Sequence, residues 1–449
     1  MITRIWQTLT SGMSKYIIVR LLQIILVLYL YMTLVFIILE AQPGDITDIY
    51  TANPKITPEA KEAIKEQLGL DKPIYERYFN YLRNFVTGHL GCSFKWGNIS
   101  PTPDPVCREQ RPTWDLIKER LPRTVVLFLT YTIVSFYIGF FMGKLIAWRR
   151  GAVIEYLSTV VGVTLFTVFT PWFALLLVWL FAVNFGVVPI GGFINPDSWT
   201  NIRQVGSVDC SIGISCSNVV FNHLLLWLGG LTLFWGIVYL WSRRLPYAWQ
   251  KRAVRWGAVA LGLVLAGFFF GGGWPGEVDR VTLARDTKFQ FFIWHFEFPA
   301  GTIPLFPLAL DFVQHMALPI LTLTLISFAG TMLLMRNTML ETMREDYVMA
   351  AKAKGLPDEV VRDKHAARNA LLPVVTSLIF AIAFSVDGGV FTETIFSWPG
   401  MGQLLLLSAL EQDYPVAIGA LVFTGIFALI AHLVADILYA FLDPRIRYD

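Results

Sequence analysis

Few residues in the chain have the types and spacing to do chemistry. Four cysteines, Cys92, Cys107, Cys210 and Cys216, allow three pairings. Nearness in sequence favours two disulfides, Cys92–Cys107 and Cys210–Cys216. Free thiols and a metal site compete with that reading, although neither a histidine nor a tight Cys-x-x-Cys accompanies them. The 6 histidines, His223, His295, His315, His365 and His432 among them, are scattered singly, as interfacial or internally satisfied residues are. No catalytic set and no metal centre is therefore expected. No Gly-x-x-x-x-Gly-Lys-[Ser/Thr] loop occurs, so nothing in the chain would cradle ATP phosphates. Asp387 stands apart, deep in an apolar run beside Gly388 and Gly389. An ionisable group there is costly, and it fits a contact with a transport pathway or a structural hydrogen bond equally well. Lys144 and Asp436 lie near the ends of apolar runs, where Lys144 can snorkel and Asp436 suits a structural polar contact.

The elements that would position these residues are membrane helices. A chain of 449 residues is long enough for about three soluble domains. However, 55% of it is hydrophobic, only 15% is charged, and mean hydropathy is +0.56, against about 25% charge in soluble domains. This composition excludes a disordered chain and a disulfide scaffold. A net charge of +3 gives no case for a nucleic-acid partner. Eight runs approach the length of about 20 apolar residues that a spanning helix needs: Tyr16–Leu39, Thr124–Trp148, Leu157–Val183, His223–Trp241, Val254–Gly273, Phe312–Met335, Leu371–Phe391 and Pro415–Phe441. An all-α polytopic membrane protein follows. Pro171 and Pro319 are candidates to bend their helices.

Basic residues set the sidedness. Arg149 and Arg150, Arg243 through Arg255, Arg336 through Arg368, and Arg445 and Arg447 fall in alternate connections, whereas Ser397–Tyr414 has neither Lys nor Arg. Both termini are expected in the cytoplasm, with the first run retained as a helix rather than cleaved. Outside would lie Ala41–Arg123, with a helix over Thr57–Asn84, then Gly191–Asn222 and Trp274–Asp311. These loops hold all four cysteines, as disulfides in an oxidising compartment require.

One cytoplasmic stretch, Asp346–Pro373, reads as two short helices joined at Gly355-Leu356-Pro357, with Asp358 and Glu359 in the first turn of the second. It suits either a solvated connection or a knob that docks into a partner's groove. The segment resembles the EAA coupling loop of permease subunits of ABC importers, in the dipeptide/oligopeptide branch, as do its approach (Leu333–Leu356), Glu393–Val416, the end Ala435–Asp449, Pro43-Gly44-Asp45, Leu68–Gly91 and Glu119–Phe128. The resemblance implies a type I importer membrane domain of about eight helices, the family's six plus an inserted pair. It divides the chain into a first helix (1–40), an extracellular lobe (41–123) and a permease domain (124–449). The permease domain holds inserted loops (191–311) around the helix pair 222–273, and the coupling loop 341–373.

Residue by residue, the resemblance makes Ala350, Ala351, Lys352, Ala353, Lys354, Gly355, Leu356 and Pro357 the loop that meets an ATPase. Met349 stands where many importers have Glu, which removes one expected salt-bridge partner. Glu393, Phe396, Trp398, Pro399, Gly400, Gly402, Asp413, Tyr414 and Pro415 carry the family signature. The implied partners are a second homologous permease, two ABC ATPase subunits that bind ATP and Mg, an external substrate-binding protein and membrane lipid, at a plasma or inner membrane. The substrates implied are di- or oligopeptides, with oligosaccharides as an alternative. An ion-driven secondary transporter would need more support than Asp387 provides.

Overall fold

In lipid, backbone N–H and C=O groups have no water to bond, so long uncharged runs close their hydrogen bonds internally as helices. The computed structural model describes residues 12–41, 72–97, 110–205, 208–209, 213–242, 248–270, 281–385 and 388–442. In chain order these form α1 (Gly12–Glu40), α2 (Ile74–Val86), β1 (Cys92–Gly97), β2 (Gln110–Pro112), α3 (Thr113–Trp148), α4 (Val153–Thr167) and α5 (Thr170–Leu177), which continues as a π-helical turn over Val178–Asn184. Next come α6 (Pro196–Trp199), β3 (Ile202–Val205), β4 (Val208–Asp209), α7 (Gly213–Ser242), α8 (Ala248–Phe270), β5 (Val281–Leu283), β6 (Thr287–Phe291), β7 (Trp294–Phe298) and β8 (Gly301–Ile303). The last part holds α9 (Phe306–Thr342), α10 (Asp346–Ala353), α11 (Asp358–Val360) with a π-helical stretch Val361–Ala366, α12 (Ala367–Phe384), α13 (Val390–Ile395), α14 (Met401–Leu410) and α15 (Tyr414–Leu442).

Among the described residues, six helices are long and apolar enough to cross a membrane, or seven if the broken pair α4 and α5 counts as one span. Of the run Val254–Gly273, residues Val254–Phe270 lie in α8, whose first turns hold Lys251, Arg252 and Arg255, and α8 is not among the six; 271–273 lie outside the described residues. Pro171 explains the break in Leu157–Val183. It has no N–H to offer and its ring would strike the Thr167 carbonyl, so the helix stops, Val168 turns extended and Pro171 sits in the first turn of the next helix, which starts at Thr170. Pro319, by contrast, lies inside an uninterrupted α9. The second span begins at Thr113 rather than Thr124, and the seventh ends at Phe384 rather than Phe391. Of the helix expected over Thr57–Asn84, Ile74–Val86 is seen; Thr57 lies outside the described residues, as do Asp387, Cys107 and Cys210.

The chain divides into two units. In the first, Met32 and Val35 of α1 pack on Val422 of α15, and the Tyr31 hydroxyl donates to the Leu421 carbonyl at 2.9 Å. Leu116 and Ile117 of α3 close against Met401 and Leu404 of α14 and Val416 and Ala420 of α15. Helix α3 meets α9 across Gly139 and Gly143. A Cβ at Gly139 would lie 2.6 Å from the Phe328 carbonyl oxygen, and one at Gly143 2.5 Å from that of Met332. This is the close approach that a Gly-x-x-x-Gly spacing permits.

The second unit, 171–322 with 395–398, carries strands as well as helices. An antiparallel sheet runs β4-β3-β5-β8, and β6 pairs with β7 as a separate hairpin. Phe193 stacks among Phe221, Phe312 and Trp398 at centroid distances of 5.2, 4.8 and 5.1 Å. Helices α7 and α8 pack on each other, with Arg255 donating to the Ser242 hydroxyl at 3.0 Å.

Candidate functional site

The signature residues organise two clusters, one in each unit. In the first unit, Glu393 on the short helix α13 is fully buried. One carboxylate oxygen accepts the Thr124 hydroxyl at 2.9 Å and the other the Gln403 N–H at 2.8 Å. The Thr124 oxygen in turn accepts the Met401 N–H at 2.7 Å, so one side chain of α3 and one of α13 together cap the start of α14. Gly400 and Gly402 make room for this. A Cβ at Gly400 would collide with the Glu393 carboxyl and approach Thr124 Oγ1 to 2.5 Å, while one at Gly402 would lie 2.8 Å from the Val390 nitrogen.

Burial pushes the Glu393 carboxyl up to about 7, against the opposing pull of the Gln403 and Gly402 N–H groups, the Thr124 hydroxyl and the Arg120 charge. A raised carboxyl binds its proton more tightly in the folded chain. Its stabilisation is therefore complete below the ordinary value of 4.5 and fades as pH rises through about 7. The thermal midpoint of the purified chain is expected to fall across that window, and Glu393→Gln to abolish that part of the fall. Identical pH profiles in parent and variant would refute this.

Within the turn that precedes Thr124, two guanidinium groups, of Arg120 and Arg123, are buried beside the same cluster. Arg120 donates to the Gln403 side-chain oxygen at 3.2 Å and lies over the Trp96 ring at 5.3 Å. Arg123 donates to Glu119 at 3.1 Å and to the Pro399 carbonyl at 3.5 Å, and Arg111 reaches Glu119 at 2.5 Å. Asp413, also buried, accepts the Ser93 hydroxyl at 2.5 Å and the Lys95 N–H at 3.3 Å, joining β1 to the start of α15. Pro415, in the first turn of α15, closes against Gly91: a Cβ there would sit 3.1 Å from the Pro415 Cβ.

In the second unit, Phe396 and Trp398 are buried. The Phe396 carbonyl accepts the Gly192 N–H at 2.8 Å, and a Cβ at Gly191 would meet that carbonyl at 2.7 Å.

The Gly355 segment has a rigid base and a free tip. Val348, Ala351, Val361, Ala366, Ala367 and Ala370 are buried with Ala147, Met335 and Met339, which fixes α10 and the π-helical stretch to the ends of α3 and α9. Polar contacts reinforce the base: Lys144 pairs with Asp363 at 3.1 Å, and Lys352 lies over the Trp148 ring at 5.4 Å. Lys144 is thus paired with Asp363 rather than only snorkelling. Beyond the base, every residue from Lys352 to Glu359 is exposed, including Ala353, Lys354, Leu356 and Pro357. The turn rests on Gly355, which holds φ +71 with open space around it, a backbone state that glycine adopts without strain. Ala350 is exposed and Ala351 buried.

Comparison with known proteins gives this geometry its context. Residues 135–448 match the model of the binding-protein-dependent transport system inner membrane component, and residues 13–128 match the N-terminal model of such membrane components. The chain belongs to this family. It is a multi-pass permease subunit of an ABC importer. Among its relatives are the oligopeptide transport system permease protein AppB of Bacillus subtilis, 28% identical over 97% of this chain and 100% of the relative, and the dipeptide transport system permease protein DppB of Escherichia coli, 26% identical over 92% and 93%. The di/tripeptide transport system permease protein DppB of Pseudomonas aeruginosa is 26% identical over 93% and 94%.

Several functional-looking residues were not singled out from sequence. Thr124 and the buried arginines lie inside α3, a few turns after its start at Thr113, and their polarity next to an apolar run was the available signal. Gly139 and Gly143 stand four apart in an apolar run. His315, read as a lone histidine, has its Nδ1 3.4 Å from Asp311 on the same buried face of α9, and Asp311 also accepts the Trp199 indole N–H at 2.7 Å; an i, i+4 spacing was the signal there. Asp436 contacts Arg20 at 3.4 Å, a structural pairing. Cys92 and Cys216 are each disulfide-bonded.

Proposed function

We propose that this permease forms half of an import pathway for di- or oligopeptides, in a plasma or inner membrane with both termini cytoplasmic. A second homologous permease would supply the other half. An external binding protein would deliver substrate, and two ABC ATPases would bind ATP and Mg and dock on the two coupling loops. The substrate class is supported by the names of the relatives, which favour peptides over oligosaccharides. The coupling role is supported by one observation above all: an exposed tip, Lys352–Glu359, on a base buried among α3, α9 and α10. A lever needs that combination, because a force applied at the tip reaches the spans only if the base does not give.

Gly355→Val separates the two parts. It forces a β-branched residue into the left-handed region at a cost of about 1–2 kcal/mol, at a site where an added Cβ meets nothing within 4 Å. The variant is expected to fold and insert, to co-purify poorly with ATPase subunits, and to lose most ATP-driven uptake of a labelled peptide in vesicles. Full uptake by a variant of altered tip geometry would contradict the coupling role. Uptake that needs an ion gradient and no ATP would contradict the importer mechanism.

A further inference from the structure

The hairpin β6–β7 presents an apolar tip whose composition is opposite to that of a solvated turn. Its register pairs Phe289 with Phe296 and Phe291 with Trp294, which leaves a two-residue connection, Phe292-Ile293. Water-exposed connections of this length favour Asn-Gly, Asp-Gly or Gly at the positions that need positive φ. Here Phe292 takes φ 51, a conformation costly for a bulky side chain. Ile293 and Trp294 are 71% and 64% exposed. From Gln290 to Phe296 there is no Asp, Glu, Lys or Arg. The hairpin's charges, Lys288 and Glu297, pair with each other nearer its base.

Helix α9 sets the depth of that tip. Asp311 and Arg336 bound the uncharged stretch Phe312–Met335; counted back from Arg336 at 1.5 Å per residue, Met316–Met335 covers about 30 Å, the hydrocarbon thickness of a bilayer. Gln314 lies just before Met316. With its amide oriented to satisfy both groups, Gln314 donates to the Gln290 carbonyl at 2.5 Å and accepts the Phe292 N–H at 3.3 Å. The tip of the hairpin is therefore held level with the boundary between hydrocarbon and headgroups. Tryptophan and other aromatics concentrate at that boundary, where an apolar ring and a polar edge are both accommodated.

We propose that the β6–β7 hairpin is a lipid anchor: Phe291, Phe292, Ile293 and Trp294 enter the headgroup and upper acyl region of the leaflet at the N-terminal end of α9. The strained Phe292 turn is then retained because it aims apolar side chains at lipid rather than at water. The anchor braces the start of α9, so lipid contact stabilises the lobe that carries the sheet. The inference needs only the membrane-spanning nature of α9, so it does not depend on the substrate or on the ATPase partners.

The test uses the full chain in phospholipid nanodiscs, labelled with an environment-sensitive fluorophore at Ile293→Cys and, as a control on the charged pair, at Lys288→Cys; the unsubstituted chain gives the labelling background. Two quenchers are applied: phosphatidylcholine spin-labelled near the top of its acyl chain, and aqueous iodide. The expected result is several-fold stronger lipid quenching at position 293 than at 288, with the order reversed for iodide. Iodide quenching at 293 equal to that at 288, without lipid quenching, would place the tip in water and overturn the proposal. Protection of 293 from both quenchers would overturn it equally, because the tip would then be covered by protein.

Discussion

Glu393→Ala is expected to be among the most damaging single substitutions in the chain. The carboxylate is fully buried and receives the Thr124 hydroxyl and the Gln403 N–H, one on each oxygen. Truncation leaves both donors in a dry core without an acceptor, at about 1–3 kcal/mol for each. Above about pH 7 it also removes one of the two carboxylate charges near Arg120, which keeps Glu119 and its bond to Gln403. Glu393→Gln keeps one acceptor and turns the amide nitrogen toward the other donor, so about half of the loss is expected. Thermal unfolding in detergent, followed by tryptophan fluorescence, should rank parent above Gln above Ala. An alanine variant that melts with the parent would sink the argument.

The second large effect is expected at the crossing of α3 and α9. Gly139→Ala and Gly143→Ala each place a methyl group on a backbone carbonyl oxygen, at 2.6 and 2.5 Å, and backbone cannot move aside as a side-chain end can. The helices must separate, which opens contacts along the whole seam. Overpacking of this kind costs about 1–3 kcal/mol per site, and Gly143→Leu should prevent the helices from closing at all. Gly162→Ala provides the control: its Cβ would meet the Met332 Sδ-methyl carbon at 2.7 Å, the far end of a flexible side chain, so a smaller shift in melting temperature is expected. Equal shifts at 143 and 162 would refute the backbone-contact account.

What could be read before folding differs in kind from what could not. The apolar runs disclosed most of the spans, because a membrane helix satisfies its own backbone and needs no knowledge of its neighbours. The Gly355 turn was readable for the same reason: glycine before Leu-Pro, with acids after it, is a local signal. The polar core of the first unit was not, since Thr124 and Glu393 stand 269 positions apart and neither spacing nor composition points from one to the other. The strands of the second unit were missed because they are short, as with Val281–Leu283 and Gly301–Ile303, and are completed by pairings across α7 and α8, as between β3 and β5. The break before Pro171 was foreseen only as a bend, because nothing local tells whether neighbours will hold a proline helix straight, as α9 is held through Pro319.

The seam between α1 and α15 has a consequence for how the chain is made. Tyr31 bonds Leu421, 390 residues later, and Ser93 waits 320 residues for Asp413. At about 5–20 residues per second, the ribosome needs roughly 20–80 s to supply the first of those partners. For that time α1 must persist in lipid without the helix it finally packs against. Its sequence is suited to the wait: among the six described spanning helices it has the highest mean hydropathy, 2.6, and its buried side chains on the seam are Met32 and Val35, with the charged Arg20 meeting Asp436 nearer its N-terminal end. The N-terminal strand β1 has no such refuge, since its buried Ser93 reaches its acceptor only when the last helix arrives. Truncations that remove α15 should therefore leave α1 inserted and the β1 region open to protease, a polarity of assembly built into the order of the spans.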